Sequence, residues 1–438
     1  MKRRLICLIL ALCAFSLASC GHKHHWGEWS VLSAADCENG GSRQRSCACG
    51  AVDTELIAAT GHDFGDGEQI AASPARPGCT LYTCALCGME RKENLVEPLG
   101  SKGLAYEVNA DGKTCTVTGL GTCTDTELGI PATIDGYEVT AIASYAFLGQ
   151  VQLAFLWMAP TVKTVGGMAF MNCVGLVSVT LPTSLEQIGD DAFLGCEKLI
   201  EVINLSKLDV QKGTLANGRV ALWAAEVTGG ESHIVEVGDF LFYTHADVKS
   251  LVAYVGDSAD MVLPKDFKGE SYQIQSYAFC NVAKQITSVT FTAPVEIGYY
   301  AFKDCEKLEK VEINDLQAWC QTNFIVKESN PLYYAKNLYL NGALLIDAVL
   351  PEGTLFIQPN VFINCESLKS ISIPKTVLGI GNAAFEGCNA LRGVYYGGNE
   401  EDWKKIDLGG QNEKLTEAAL AFRTDTPSAS EIYASAYY

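Results

Sequence analysis

The chain has 438 residues, of which 48% are hydrophobic, 19% charged and 9% aromatic. This is the composition of a globular protein with apolar mass for large cores, and it excludes wholesale disorder. A formal charge of −19 argues against the clustered Lys and Arg that phosphates require, so no nucleic acid is expected as a partner, and anionic membrane surfaces are disfavoured for the same reason.

Lys2, Arg3 and Arg4 precede an apolar run from Leu5 to Phe15. Basic-then-apolar is the order of a secretory signal, and the run is too short for a spanning helix. Leu17-Ala18-Ser19-Cys20 closes it and resembles the bacterial lipobox. The resemblance implies that residues 1–20 are a lipoprotein signal and that Cys20 is the lipidated residue. The plainer alternative is a signal peptide that happens to end near a Cys. Removal of the three basic residues would leave a mature charge of −22, an acidic surface whose only link to a membrane is the lipid.

Residues 21–100 read as a Cys/His pattern in two copies. The first is His25-Trp26-Gly27, Cys37, Cys47-Ala48-Cys49-Gly50; the second is His62-Asp63-Phe64-Gly65, Cys79, Cys84-Ala85-Leu86-Cys87-Gly88. Each copy offers three thiols and one imidazole, the ligand count of a closed Cys₃His zinc site. Two further readings stay open, namely disulfides crossing between copies, since three thiols cannot pair within one, and free thiols. A staple is expected, because about 80 residues with few large apolar side chains cannot close a core unaided. Four protein ligands would leave zinc no open position, so a catalytic role is not expected. The segment resembles Cys/His repeats that precede surface modules in gut Firmicutes.

Further on a period is visible. Ala146-Phe147, Ala169-Phe170 and Ala192-Phe193 stand 23 residues apart, as do Ala278-Phe279 and Ala301-Phe302, and Val361-Phe362 and Ala384-Phe385. Cys follows the Phe by three at Cys173, Cys196, Cys305, Cys365 and Cys388, then Leu, then Val or Ile. A fixed period of this size means a solenoid whose turns are stable only when stacked. The once-per-turn Cys reads as a small buried hydrophobe whose S–H meets a backbone carbonyl.

The motif Ala-Phe-x-x-Cys-x-x-Leu-x-x-Val-x-Leu-Pro, with Ile188-Gly189 closing the turn, resembles the BspA-like leucine-rich repeats of bacterial surface proteins. The expected fold class is therefore a β-rich (α+β) repeat solenoid of about 23 residues per turn, covering 130–396 and preceded by the small Cys/His segment. Blocks 203–262 and 312–350 lack the motif and read as insertions, Gln150 stands where a Cys is expected, and Cys280 follows Phe279 directly. The resemblance implies adhesion to a host matrix or cell-surface protein, or to a glycan, without one shared binding residue; the ligand-binding residues stay unknown.

The remaining elements follow from local pattern. Ala105 to Val108 and Thr114 to Val117, joined through Asp111-Gly112, predict a β-hairpin capping the solenoid within 101–129. Ile234 to Val237, Phe240 to Thr244 and Leu251 to Val255 predict strands in the first insertion. Asn314 and Asn399 predict helix N-caps, with Trp319 and Trp403 one turn in as packing residues. Residues 397–438 form a C-terminal cap and a tail, loose from Thr424 to Tyr438.

No catalytic motif stands in a supporting context, and no catalytic residue is assigned. Gly256-Asp257-Ser258 echoes one esterase family, but that family needs a downstream His, and the last His is His245. The reading is a non-catalytic lipoprotein exposed at the bacterial cell envelope, with no cofactor in the solenoid and zinc as a candidate in the N-terminal segment. The alternatives are an envelope scaffold without a ligand and a hydrolase using carboxylates.

Overall fold

The computed structural model describes residues 23–230, 232–245 and 248–422; Cys20, the signal and the tail from Thr424 lie outside them. The chain divides into two compact units, one running to Ile70 and taking in Cys79–Leu95, the other comprising Ala71–Gly78 and everything from Val96.

The first unit is built from two three-stranded sheets, Ser30–Ser33, Gly41–Ser46 and Val52–Ile57 in one and Glu68–Ile70, Gly78–Thr83 and Glu90–Val96 in the other. Its described buried hydrophobic residues are four cysteines, Cys37, Cys47, Cys79 and Cys84, while Val31, Leu56 and Leu95 lie exposed. Sheets this thin offer little apolar area to remove from water, so what holds them must come from elsewhere.

The second unit is the solenoid. In its first block Glu127–Ile130, Phe155–Met158, Ser178–Leu181, Glu201–Asn204 and Glu226–Thr228 pair in parallel. Phe155 faces Ser178 and Ser178 faces Glu201, so one turn of 23 residues advances the chain by one strand. A second ladder joins Thr114–Gly119, Tyr137–Ile142, Thr164–Val165 and Gln187–Ile188. Two further blocks repeat the arrangement through Ser288–Phe291 and Lys310–Ile313, then Ser370–Ile373, Gly393–Tyr396 and Ala419–Phe422.

The repeated Ala-Phe explains the stacking. Phe147, Phe170 and Phe193 are buried and lie ring on ring with centroids 5.1 and 5.2 Å apart, and Phe362 repeats this on Phe385 at 5.3 Å. Phe147, Phe170, Phe279 and Phe362 each donate their N–H to the Ala carbonyl of the next turn at 2.8 to 3.0 Å, while Phe193 N donates to the Gly218 carbonyl and Phe385 N to Asn412 Oδ1. Three of the five repeat thiols behave as expected: Cys173 donates to the Phe147 carbonyl at 3.1 Å, Cys196 to Phe170 at 3.2 Å and Cys388 to Phe362 at 3.0 Å, whereas Cys305 reaches only the Lys303 carbonyl at 3.9 Å and Cys365 meets Ser367 Oγ at 3.7 Å. Gly189 closes its turn because a Cβ there would stand 2.5 Å from the Gly167 nitrogen of the preceding turn.

The residue before each Ala-Phe pair takes a left-handed backbone: Tyr145, Met168, Asp191, Tyr277, Tyr300, Asn360 and Ala383 all have φ between 53° and 63°. Such a conformation is costly for non-glycine residues and persists only where surrounding contacts over-determine it. The turn-to-turn hydrogen bonds supply them.

The departures have structural counterparts. After Phe279 the chain enters a 3₁₀ turn, Cys280–Val282, and the Cys280 thiol donates to the Val174 carbonyl at 3.4 Å. The first insertion forms Ile234–Val237, Phe240–His245 and Val248–Tyr254, whose Leu241, Tyr243 and Val252 pack on Phe155, Val177 and Ile200 of the first ladder. The cap hairpin is present as Ala105–Val108 against Thr114–Gly119. In the second insertion the N-cap of helix Leu316–Gln321 is Asp315, not Asn314, because its carboxylate accepts from Gln317 N and Ala318 N; the carboxylate satisfies two orphan amides at once. Asn399 caps Glu400–Trp403 as predicted. Trp319 is buried with its Nε1 donating to the Val361 carbonyl, and Trp403 packs on Tyr396.

Candidate metal centre and binding face

In the first unit, the ligand atoms of Cys37, His62, Cys84 and Cys87 all lie within 4.8 Å of one another, and those of His24, Cys47 and Cys49 form a second group. The grouping by copy, each copy supplying its own Cys₃His set, is therefore corrected in three places. Cys37 of the first copy joins the second copy's residues. His24, not His25, faces Cys49, with Nδ1 3.3 Å from its sulfur, and His62 Nδ1 stands 3.3 Å from Cys87 in the same relation. Cys79 lies buried outside both groups.

Backbone pairing shows why. The loop at Cys37 closes on itself through Asp36 N to Asn39 O, and its carbonyls then receive Thr60 N and Gly61 N, which carry His62 to it. The matching loop in the second copy closes through Ser73 N to Arg76 O and receives Leu99 N and Gly100 N. Pro74 thus occupies the place of Cys37, and Cys79 has no counterpart in the first copy. A 38-residue offset aligns His24 with His62 and Cys49 with Cys87; reading the cysteines in simple order hid it.

The paired cysteines sit in tight turns that aim amides at sulfur. Gly50 N donates to Cys47 O and Gly88 N to Cys84 O, both at 2.9 Å, with φ of 85° and 74° at these glycines. The Cys49 amide, with the His24 ring and the Cys49 thiol, lowers Cys47 to about 6. Burial works against Cys84, but the amides of Cys87 and Leu86 and the His62 ring outweigh it and bring that thiol to about 6 as well. Burial, with Cys87 and Cys84 alongside, pushes Cys37 up to about 11. Thiolate-stabilising turns of this kind are what metal ligands need.

The two remaining histidines, His233 and His245, converge in the solenoid on one carboxylate. Glu226 Oε1 lies 2.5 Å from His233 Nδ1, Glu226 Oε2 lies 3.3 Å from His245 Nδ1, and the two rings are 4.6 Å apart. Next to them the buried Glu201 accepts from Ser178 Oγ, Ser232 Oγ and His233 N at 2.6 to 2.7 Å. Carboxylates so supplied with donors fasten the first insertion to the first ladder.

Along the second block an aromatic strip crosses the turns. Tyr277 and Tyr300 are 5.4 Å apart, Tyr299 is exposed beside Tyr300, and Tyr333 meets Tyr334 edge-on at 5.1 Å. Lys303 lies over Tyr277 and Tyr300, Lys327 lies over Tyr333, and Tyr334 Oη accepts from Asp304 N. No sequence signal marked this strip, because its first members are turn-corner residues that also occur as Met, Asp, Asn and Ala.

Residues 131–217 and 266–392 match the BspA type leucine rich repeat region, in six copies. The solenoid is built of BspA-type leucine-rich repeats. No curated protein matches it. Among solved structures it is similar to a leucine rich cell surface protein from Faecalibacterium prausnitzii (19% identity, 71% of this chain and 98% of that one, TM-score 0.31). It is also similar to the T. pallidum leucine rich repeat protein (15%, 76% and 99%, TM-score 0.22) and to the pneumococcal vaccine antigen PcpA (15%, 83% and 100%, TM-score 0.28). Identities and TM-scores this low carry nothing about a partner.

In this BspA-type chain a shallow recess beside Trp319, lined by Phe291, Ile313, Ala318 and Thr322, has room for little more than a water molecule, far short of a small-molecule cleft. Ser258, the esterase echo, is engaged with its own turn, its Oγ donating to the Asp260 carbonyl and accepting from Asp260 N. Among the described residues no helix is long and apolar enough to cross a membrane.

Proposed function

We propose that this chain is a lipid-anchored, non-catalytic protein of the bacterial cell surface whose solenoid binds a protein or glycan partner. The observation that carries the reading is the strip Tyr277, Tyr299, Tyr300, Tyr333 and Tyr334 with Lys303 and Lys327 beside it. An inert spacer has no use for grouped, part-exposed tyrosines, whereas binding faces collect them because a rigid aromatic buries much area at little entropic cost. The lipobox-like Leu17-Ala18-Ser19-Cys20 supports the anchor.

The test is retention of host matrix proteins, bacterial cells and glycans by the immobilised chain, with and without Tyr299→Ala and Tyr300→Ala together. Loss of a retained partner in the double variant supports the reading. Retention unaffected by it would move binding to another face. The absence of any retained partner would favour an envelope scaffold.

A further inference from the structure

We propose that Cys37, His62, Cys84 and Cys87 bind one zinc ion, so that a ligand lent by the first copy ties the two copies of the N-terminal unit together. The four ligands come from three separate segments, the Cys37 loop, the strand entry at His62 and the Cys84–Cys87 turn, whose ligand atoms lie within 4.8 Å of one another. Cys37 Sγ and Cys84 Sγ are 3.8 Å apart, which is the edge of a tetrahedron with Zn–S bonds of about 2.3 Å. His62 presents Nδ1 to Cys87 at 3.3 Å, while its Nε2 faces Glu38 Oε1 at 3.8 Å. A carboxylate on the far nitrogen is the partner that fixes a metal-bound imidazole and raises its basicity.

Neither competing linkage uses this arrangement fully. Any disulfide among three thiols leaves one thiol over and gives His62 no part, and free thiols give no reason for four ligand atoms to converge in a unit whose described buried hydrophobic residues are cysteines. Soft thiolates with one imidazole select zinc over hard cations. The His24, Cys47 and Cys49 group offers three ligands, so it holds an ion more weakly than the four-ligand site. The series ends after the second copy because Pro74 takes the position that would lend the next thiol.

The experiment measures zinc bound by the full chain, purified with reductant, by elemental analysis during titration with a chelator, and repeats it after cobalt substitution. One ion resisting the chelator and a cobalt spectrum of three thiolates and one nitrogen are expected. Cys37→Ser should weaken that ion at least about tenfold, while Cys79→Ser and His25→Ala leave it in place. Thermal melting of the solenoid serves as the folding control. Loss of the ion in Cys79→Ser but not in Cys37→Ser would overturn the shared site in favour of one site per copy. A metal-free chain with intact disulfides by mass would overturn zinc altogether, as would a reduced, folded chain that takes up no zinc when it is added.

Discussion

Lys198 Nζ donates to the Ala278 carbonyl at 2.9 Å and to Asn281 Oδ1 at 3.1 Å, linking the last turn of the first block to the first turn of the second across 80 residues of sequence. The side chain is buried. Between the two blocks the chain runs through an insertion without the repeat motif, so this ammonium and the Cys280 thiol on Val174 O hold two stacks in register where the period is interrupted.

Burial brings Lys198 down from 10.5 to about 8, with a small opposing pull from Cys280. The folded state therefore releases a proton near pH 8 that the unfolded chain keeps until about 10.5, and stability rises with pH across that window. Relative to Lys198→Met, the wild type should gain about 3 kcal/mol between pH 7.5 and 10.5. Chemical denaturation of both proteins at the two pH values checks this; parallel stabilities would mean that the amine is hydrated.

The stacked phenyl rings set the cost of a cavity. Phe193 is buried against Phe170, and Phe193→Ala should cost about 3 to 5 kcal/mol, through lost transfer energy and a void that rigid neighbouring turns cannot fill. Equilibrium unfolding gives the value. A loss below about 1 kcal/mol would contradict a continuous stacked core.

The buried thiols act in the opposite direction to Lys198 at alkaline pH. Burial pushes Cys173 from 9.0 up to about 12, so its contribution is complete below pH 9 and is lost as the pH rises toward 12. Between pH 9 and 10.5 the wild type should lose about 2 kcal/mol relative to Cys173→Ala. Difference measurements at fixed pH cancel the other cysteines, and an unchanged gap would show the thiol ionising in place.

For the anchor, Cys20→Ala should yield a chain that incorporates no fatty acid, since the acceptor thiol is gone. Metabolic labelling with a radioactive acyl chain reads this directly. Equal label in both proteins would place any lipid elsewhere and leave the plain signal peptide.

Much of the solenoid was legible because its determinants are local and repeated. The 23-residue spacing of Ala169-Phe170 and Ala192-Phe193 predicts stacked turns, the position of Cys196 predicts its bond to a backbone carbonyl, and Phe240 to Thr244 predicts the strand found at Phe240–His245. Each depends on a few neighbouring residues and on the period of the chain. What only the tertiary structure decided is which distant groups meet. Order along the chain joins Cys79 to Cys84, whereas a docked loop brings Cys37 to Cys84, leaves Cys79 outside the group and puts Pro74 in the corresponding place of the second copy. The left-handed corner at Met168 or Ala383 is invisible in residue type, because hydrogen bonds from the adjoining turn impose it. No local pattern marks Lys198 as buried, and Glu226 gives no hint of His233 and His245. Periodicity specifies how one turn lies on the next; contacts between insertions, copies and blocks depend on loop paths that no repeat encodes.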